Sequence, residues 1–228
     1  MRTVKLIPAL DTIDLDEAAR IVRAVDGVDG VYGYKVGFSL GLTCGLPRVV
    51  EEIRKTSTKP VIYDHQKAGT DIPDTGALFA RTLKLAGINE AIVFPHAGPE
   101  TLAAWIAAVQ AEGLKIIVGG IMTHPSYLAS EGGFLIDDRI LGAYQTAVRM
   151  GVKAFVVPMT KPQLVRAVVD RIGPSDEWEF YSPGLGKQGG SMAGFEFLRR
   201  HYVIVGRSLL AAPDPRAYLT HALAEAAK

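Results

Sequence analysis

Eight short apolar runs punctuate this chain, each followed by a turn and most by a helix-like pattern, and this alternation constrains the fold more than any other feature. The runs are 6–10, 30–38, 60–63, 91–95, 115–121, 154–158, 179–182 and 202–205. Several are rich in Val and Ile and do not alternate with polar residues, as expected of parallel strands buried on both faces. Between them, helical spacing appears at 15–22 behind Asp14, a candidate N-cap, and at 101–109, ending near Gly113. It recurs at 139–150, closed by Gly151, at 163–172, closed by Gly173, and at 215–226. Eight strands alternating with helices over 228 residues predict an α/β fold of the (β/α)8 TIM-barrel type, with residues 1–228 as one domain. An open doubly wound sheet is the alternative. If it bound a dinucleotide it would carry a Gly-rich turn after the first strand, where this chain has Ala9-Leu10-Asp11-Thr12.

Composition narrows the function classes. The chain is 48% hydrophobic, enough for a sizeable core, and its 25 basic and 24 acidic residues are dispersed, giving a net charge of +1. That balance shows no nucleic-acid footprint and no membrane-surface patch. No apolar run approaches the roughly 18 residues of a membrane span, and the N-terminus lacks the pattern of a signal peptide, so a cytoplasmic location is expected. One cysteine, Cys44, excludes an internal disulfide and reads as a small apolar filler.

In a barrel, the loops after the strands build the site. Read in this way, the strand ends collect Asp11, Lys35, Asp64, Lys67, His96, Thr123, His124, the segment Pro183 to Gly190, and Gly206-Arg207-Ser208. The densest group is Asp64, Lys67 and Asp71, three charges of alternating sign within eight residues after the run Pro60-Val61-Ile62-Tyr63. Carboxylates and an ammonium brought together out of water perturb one another's protonation and concentrate at active sites. The same offsets also suit a helical salt-bridge ladder or a solvated loop, although Pro73 and the preceding strand disfavour a helix. Around Gly184, Gly186, Gly189, Gly190 and Gly206, backbone N–H groups can approach an anion closely. Arg207 can bond phosphate oxygens, and Ser208 is expected to open a helix. Two ordinary glycine turns and a surface arginine are the competing account. His96 and His124 read first as structural hydrogen-bonding residues, and no HExxH-type ligand pattern is present. A metal would have to use carboxylates such as Asp11 and Asp64.

These pieces, in this order, resemble the orotidine 5′-monophosphate decarboxylase family over nearly the whole chain. The resemblance rests on Ala9-Leu10-Asp11, Lys35 in Tyr34-Lys35-Val36-Gly37, Asp64, Lys67 and Asp71-Ile72-Pro73-Asp74-Thr75. It continues with Thr123-His124-Pro125, with Pro183 to Gly190, and with Val205-Gly206-Arg207-Ser208. It implies decarboxylation of orotidine 5′-monophosphate to UMP without metal or cofactor. Asp11 and Lys35 would bind the ribose, Lys67 would protonate the pyrimidine carbon, Asp64 would lie near the substrate carboxylate, and Asp71 would complete the charge array. Thr123 would meet the pyrimidine edge, while Gln188 and Arg207, beside Pro183 and Gly206, would hold the phosphate. Asp71, Ile72 and Thr75 would reach the neighbouring site of a homodimer.

One interval departs from the pattern. The family separates Asp from Lys by two positions and Lys from the second Asp by three, whereas here the separations are three and four. Residues two apart on a strand share a face and residues three apart do not, so a bulge or re-routed loop must absorb the extra residues. Two other readings accompany the resemblance. Magnesium-dependent sugar-phosphate decarboxylases or aldolases of the same superfamily resemble one another in a strand-2 glutamate, where this chain has Lys35. A non-catalytic nucleotide-phosphate binder would keep Gln188 and Arg207 without the lysine chemistry.

Overall fold

The computed structural model describes residues 2–65, 71–185 and 190–226. Its strands are β1 (Thr3–Pro8), β2 (Tyr34–Gly37), β3 (Val61–Asp64), β4 (Glu90–Val93), β5 (Lys115–Val118), β6 (Ala154–Val156), β7 (Glu179–Pro183) and β8 (Arg200–Val205). They form one parallel sheet in the order β1-β8-β7-β6-β5-β4-β3-β2. The remaining seam, between β1 and β2, is bridged by the parallel pairs Leu6–Val31 and Ala9–Lys35, and Leu10 N donates to Lys35 O at 2.8 Å. The result is the expected barrel, in place of an open doubly wound sheet.

The helices are α1 (Leu15–Val25), α2 (Phe38–Cys44), α3 (Leu46–Arg54), α4 (Gly76–Leu85), α5 (Pro99–Ala111), α6 (Asp137–Arg149), α7 (Pro162–Ile172), α8 (Arg207–Leu210) and α9 (Pro215–Ala226). Asp14 caps α1 as expected, its carboxylate accepting from the N–H groups of Asp16 and Glu17. Gly151 and Gly173 take positive φ (78° and 80°) where α6 and α7 end. The helix expected to open at Ser208 is α8, which opens one residue earlier, on Arg207, and runs only to Leu210. No helix among the described residues is long and apolar enough to cross a membrane.

Strand alternation sorts the core into two layers. Outward-facing residues such as Tyr34, Val36, Val61 and Val203 pack under the helices, and inward-facing ones such as Ile7, Ala9, Ile62, Ile92, Ile117 and Ile204 fill the barrel. At the N-terminal ends of the strands the interior is polar but closed. Lys115 Nζ donates to Glu179 and, at 2.8 Å, to Tyr181 Oη, while Tyr32 Oη donates to Glu90. The Tyr181 and Tyr202 rings stack with centroids 4.7 Å apart. Burial raises the Glu90 carboxyl above its ordinary range, with Lys115 and Tyr32 opposing the shift. These side chains fill the barrel at the N-terminal ends of its strands.

Candidate active site

The inward face of three adjacent strands brings the first charges together. Ala9 faces the barrel, and two residues on so does Asp11; Lys35 and Asp64 occupy inward positions of β2 and β3. Lys35 Nζ donates to Asp64 Oδ2 at 2.8 Å and to Asp11 Oδ1 at 3.1 Å. Lys35 and Asp64 are buried, at 3% and 1% exposure. Burial alone would lower the lysine pKa, but the charges and hydrogen bonds of Asp64 and Asp11 outweigh it and hold the ammonium above its ordinary value. Removing such charges from water costs several kcal/mol per ion, roughly as much as their attraction returns, so the cluster is poor evidence of a stabilising device. Clusters of this kind, where charges perturb one another in a cleft, concentrate at functional sites.

This array forms one wall of an open cavity of about 530 Å³. The facing wall comes from the loop after β5, with Met122, Thr123 and His124, and from the end of β7 with Pro183 followed by Gly184 and Leu185. Gly206, Arg207 and Ser208 complete the rim after β8, and Ile121, Val156 and Ile204 supply an apolar floor. Seven of the expected site residues thus meet at one cavity: Asp11, Lys35, Asp64, Thr123, Pro183, Gly206 and Arg207. The neck of the glycine-rich segment is pinned by a bridge between Leu185 and Gly190 and by Gly190 N donating to Gly184 O at 2.9 Å. A Cβ on Gly190 would lie 2.5 Å from that same oxygen, so only glycine allows this approach.

Other expected residues lie elsewhere. Asp71 and Ile72 are exposed and do not line the cavity; Asp71 accepts from Ile72 N at 2.8 Å, and Thr75 Oγ1 donates to Ile72 O at 2.8 Å. Pro73–Thr75 forms a 3-10 turn leading into α4, so this end of the charged segment is no helical ladder. Lys67 and Gln188 lie outside the described residues. His65 continues the β3 ladder by donating its N–H to Ile92 O, and its ring turns away from the barrel against Phe79 and Trp105, at centroid distances of 4.7 and 5.4 Å. Burial lowers its imidazole pKa, partly countered by Asp64 and Asp71. His124 lines the cavity, whereas His96 does not: its Nε2 lies 2.6 Å from Tyr127 Oη, whose own proton points to Gly120 O at 2.9 Å. A phenol has one proton, so His96 is the donor in that pair. Among the described residues no group of three or more His, Cys, Asp or Glu side chains is arranged to hold a metal. Met122 and Leu185, which sequence reading did not single out, line the cavity; apolar residues in loops carry no signal before the loops are folded.

A barrel with a buried Asp–Lys–Asp array on one wall and a glycine-rich rim with an arginine on the other belongs to the class of phosphorylated-substrate barrels. Residues 4–221 match the Orotidine 5′-phosphate decarboxylase / HUMPS family, and the chain belongs to that family. It is 32% identical over 216 residues to the orotidine 5′-phosphate decarboxylase of Methanosarcina mazei, covering 94% of this chain and 91% of that protein. With the Methanocaldococcus jannaschii enzyme of the same name the identity is 33% over 218 residues, with 93% of each chain covered. The crystal structure of orotidine 5′-monophosphate decarboxylase from M. jannaschii, complexed with the inhibitor BMP, superposes with a TM-score of 0.85 at 29% identity over the full length of both chains.

Proposed function

We propose that this protein decarboxylates orotidine 5′-monophosphate to UMP. The observation that carries the reading is the convergence, in a full-length match to orotidine 5′-phosphate decarboxylases, of the buried Lys35–Asp64–Asp11 array with Thr123, Gly206 and Arg207 around one cavity. Residues 1–228 are read as one barrel domain, consistent with a single sheet whose strands begin at Thr3 and end at Val205.

In this reading Lys35 and Asp11 hold the ribose hydroxyls, Thr123 meets the pyrimidine edge, and Arg207 with Gln188 holds the phosphate. The bond from the ring carbon to the carboxylate breaks, carbon dioxide leaves, and the electron pair stays on the ring carbon. The Lys67 ammonium stabilises that charge and delivers the proton, with Asp64 and Asp71 keeping the ammonium charged and aimed. Contacts to the phosphate, remote from the reacting carbon, supply binding energy to the chemical step. No metal or cofactor takes part. The protein acts as a homodimer in which Asp71, Ile72 and Thr75 reach the neighbouring site; their position off their own cavity and the exposure of Ile72 (58%) support this.

The test is a decarboxylation assay on orotidine 5′-monophosphate after treatment with a chelator. Turnover should persist without magnesium and fall by about 10²–10³-fold in Lys67→Ala, the scale of losing a transition-state charge contact. Absence of turnover by the wild type overturns the reading. A magnesium requirement points to the sugar-phosphate enzymes, and UMP binding without turnover points to a binder.

A further inference from the structure

A second cavity, of about 620 Å³, lies between the segment at 190–196 and α9. Leu185, Gly190 and Met192 line it on one side, Tyr218 on α9 lines it on the other, and Arg2, the residue before β1, also borders it. Leu185 lines the cavity of the Asp–Lys–Asp array as well, so it is a wall common to both, tied by its bridge to Gly190.

The charge at this place is unbalanced. Arg2 Nε and Nη2 are buried and have no hydrogen-bond partner among the described residues. Nδ1 of buried His201 has none either, and after burial itself the charge of Arg2 is what disfavours the protonated form of that ring. Glu196, on the same cavity, accepts from Gly194 N at 2.9 Å. A buried donor without a partner costs free energy, and a guanidinium stays charged in any protein environment, so the arrangement calls for an anion. Because no described residue holds these two nitrogens, side-chain rotation is enough to turn the guanidinium onto an occupant. Its fork matches a carboxylate. Glu196 and Glu225 on the same walls repel a dianion more strongly than a monoanion, and Leu185, Met192 and Tyr218 offer apolar surface.

We propose that this cavity binds a small organic monocarboxylate, its carboxylate paired with Arg2 and its apolar body against Leu185, Met192 and Tyr218, and that occupancy tightens nucleotide binding through Leu185. The site stands on the cavity and its unpartnered charge; the coupling rests on the decarboxylase reading. A wall already ordered by one ligand costs the second less to order.

The probe is benzoate, followed by backbone amide shifts in ¹H–¹⁵N NMR spectra. Benzoate should shift Ser191, Ala193 and Glu196 saturably, and phenyl phosphate should bind there at least about tenfold more weakly. Arg2→Met should weaken benzoate by about tenfold or more, the scale of a lost charge-assisted hydrogen bond, with Tm no lower than wild type. Ala193→Trp, at an exposed position on the cavity rim, should block benzoate at the wild-type Tm. In saturating benzoate the dissociation constant for UMP should fall about fivefold, and UMP should tighten benzoate by the same factor. Absence of saturable shifts at 190–196 in the wild type, or undiminished binding in both Arg2→Met and Ala193→Trp, overturns the site. Phenyl phosphate binding as tightly as benzoate overturns the assignment to a monocarboxylate, and a UMP affinity indifferent to benzoate overturns the coupling. If the wild type fails to bind UMP, the decarboxylase reading fails, and the benzoate titration still decides whether the site exists.

Discussion

Lys35 and His201 show how partners decide the charge of a buried group. Lys35 has two carboxylates and stays an ammonium. His201, fully buried in β8 at the root of the glycine-rich segment, has only the Ser182 hydroxyl, 2.8 Å from its Nε2, and its Nδ1 has no partner among the described residues. Burial, with a smaller contribution from Arg2, pushes its pKa from 6.5 down to about 3. Below pH 6.5 the unfolded chain binds a proton that the folded chain refuses. The contribution of His201 is therefore intact above pH 6.5 and is lost as the pH falls toward about 3, at about 1.4 kcal/mol per pH unit. His65 and His96 are pushed in the same direction by burial. Denaturant unfolding of wild type and His201→Gln between pH 6.5 and 4.5 should show a shallower loss of stability in the variant; parallel slopes would count against a neutral His201.

At the scale of elements, the strands were legible because parallel strands buried on both faces read as uninterrupted Val and Ile runs. Their bounds shifted by a few residues: the run at 30–38 contributes only Tyr34–Gly37, since Phe38 already opens α2. Three helices, α2, α3 and α4, are absent from the sequence reading for identifiable reasons. α2 is seven residues long and contains Gly41, α3 follows directly on Gly45, and α4 begins with Gly76, so none shows a long apolar stripe behind a side-chain cap. Packing supplies what local propensity lacks: a Cβ on Gly76 would lie 2.7 Å from the Trp105 ring, so α4 nests against α5 there. A similar close approach occurs just after β5, where a Cβ on Gly119 would lie 2.1 Å from the Phe94 ring. Phe94 is 4% exposed and has little room to yield. Gly119→Ala should therefore cost about 1–3 kcal/mol, lowering Tm by roughly 2–4 °C per kcal/mol in a chain of this length. A thermal melt at wild-type Tm would show that the ring moves freely.

At the scale of the whole molecule, the two ends of the barrel divide the work. The Lys115, Glu90 and Glu179 group with its tyrosines closes one end, and the cavity opens at the other. The first three β/α units also expose Ile13 (71%), Leu42 (82%), Ile72 (58%) and Leu78 (70%), an apolar excess of the kind a subunit interface covers. If the sites are shared, mixing inactive Lys67→Ala and Asp71→Ala subunits should restore up to about a quarter of wild-type activity, because random pairing makes half the dimers mixed and each mixed dimer holds one intact site. Mixed dimers that form but remain inactive would exclude sharing of Asp71.

The sequence by itself determined the barrel, through the period of its apolar runs, and the strand-end positions of Asp11, Lys35, Asp64, Thr123 and Arg207, because alternation and the polarity of parallel strands place such residues without knowledge of contacts. Only the tertiary structure decided that the Lys35 ammonium bonds both Asp11 and Asp64, that Asp71, Ile72 and Thr75 stand away from their own cavity, and that Thr160 and Lys161 hold the Thr123 loop. Those facts depend on pairs separated by 24 to 37 residues, brought within hydrogen-bond reach by barrel closure and loop packing, and no local pattern encodes such a distance.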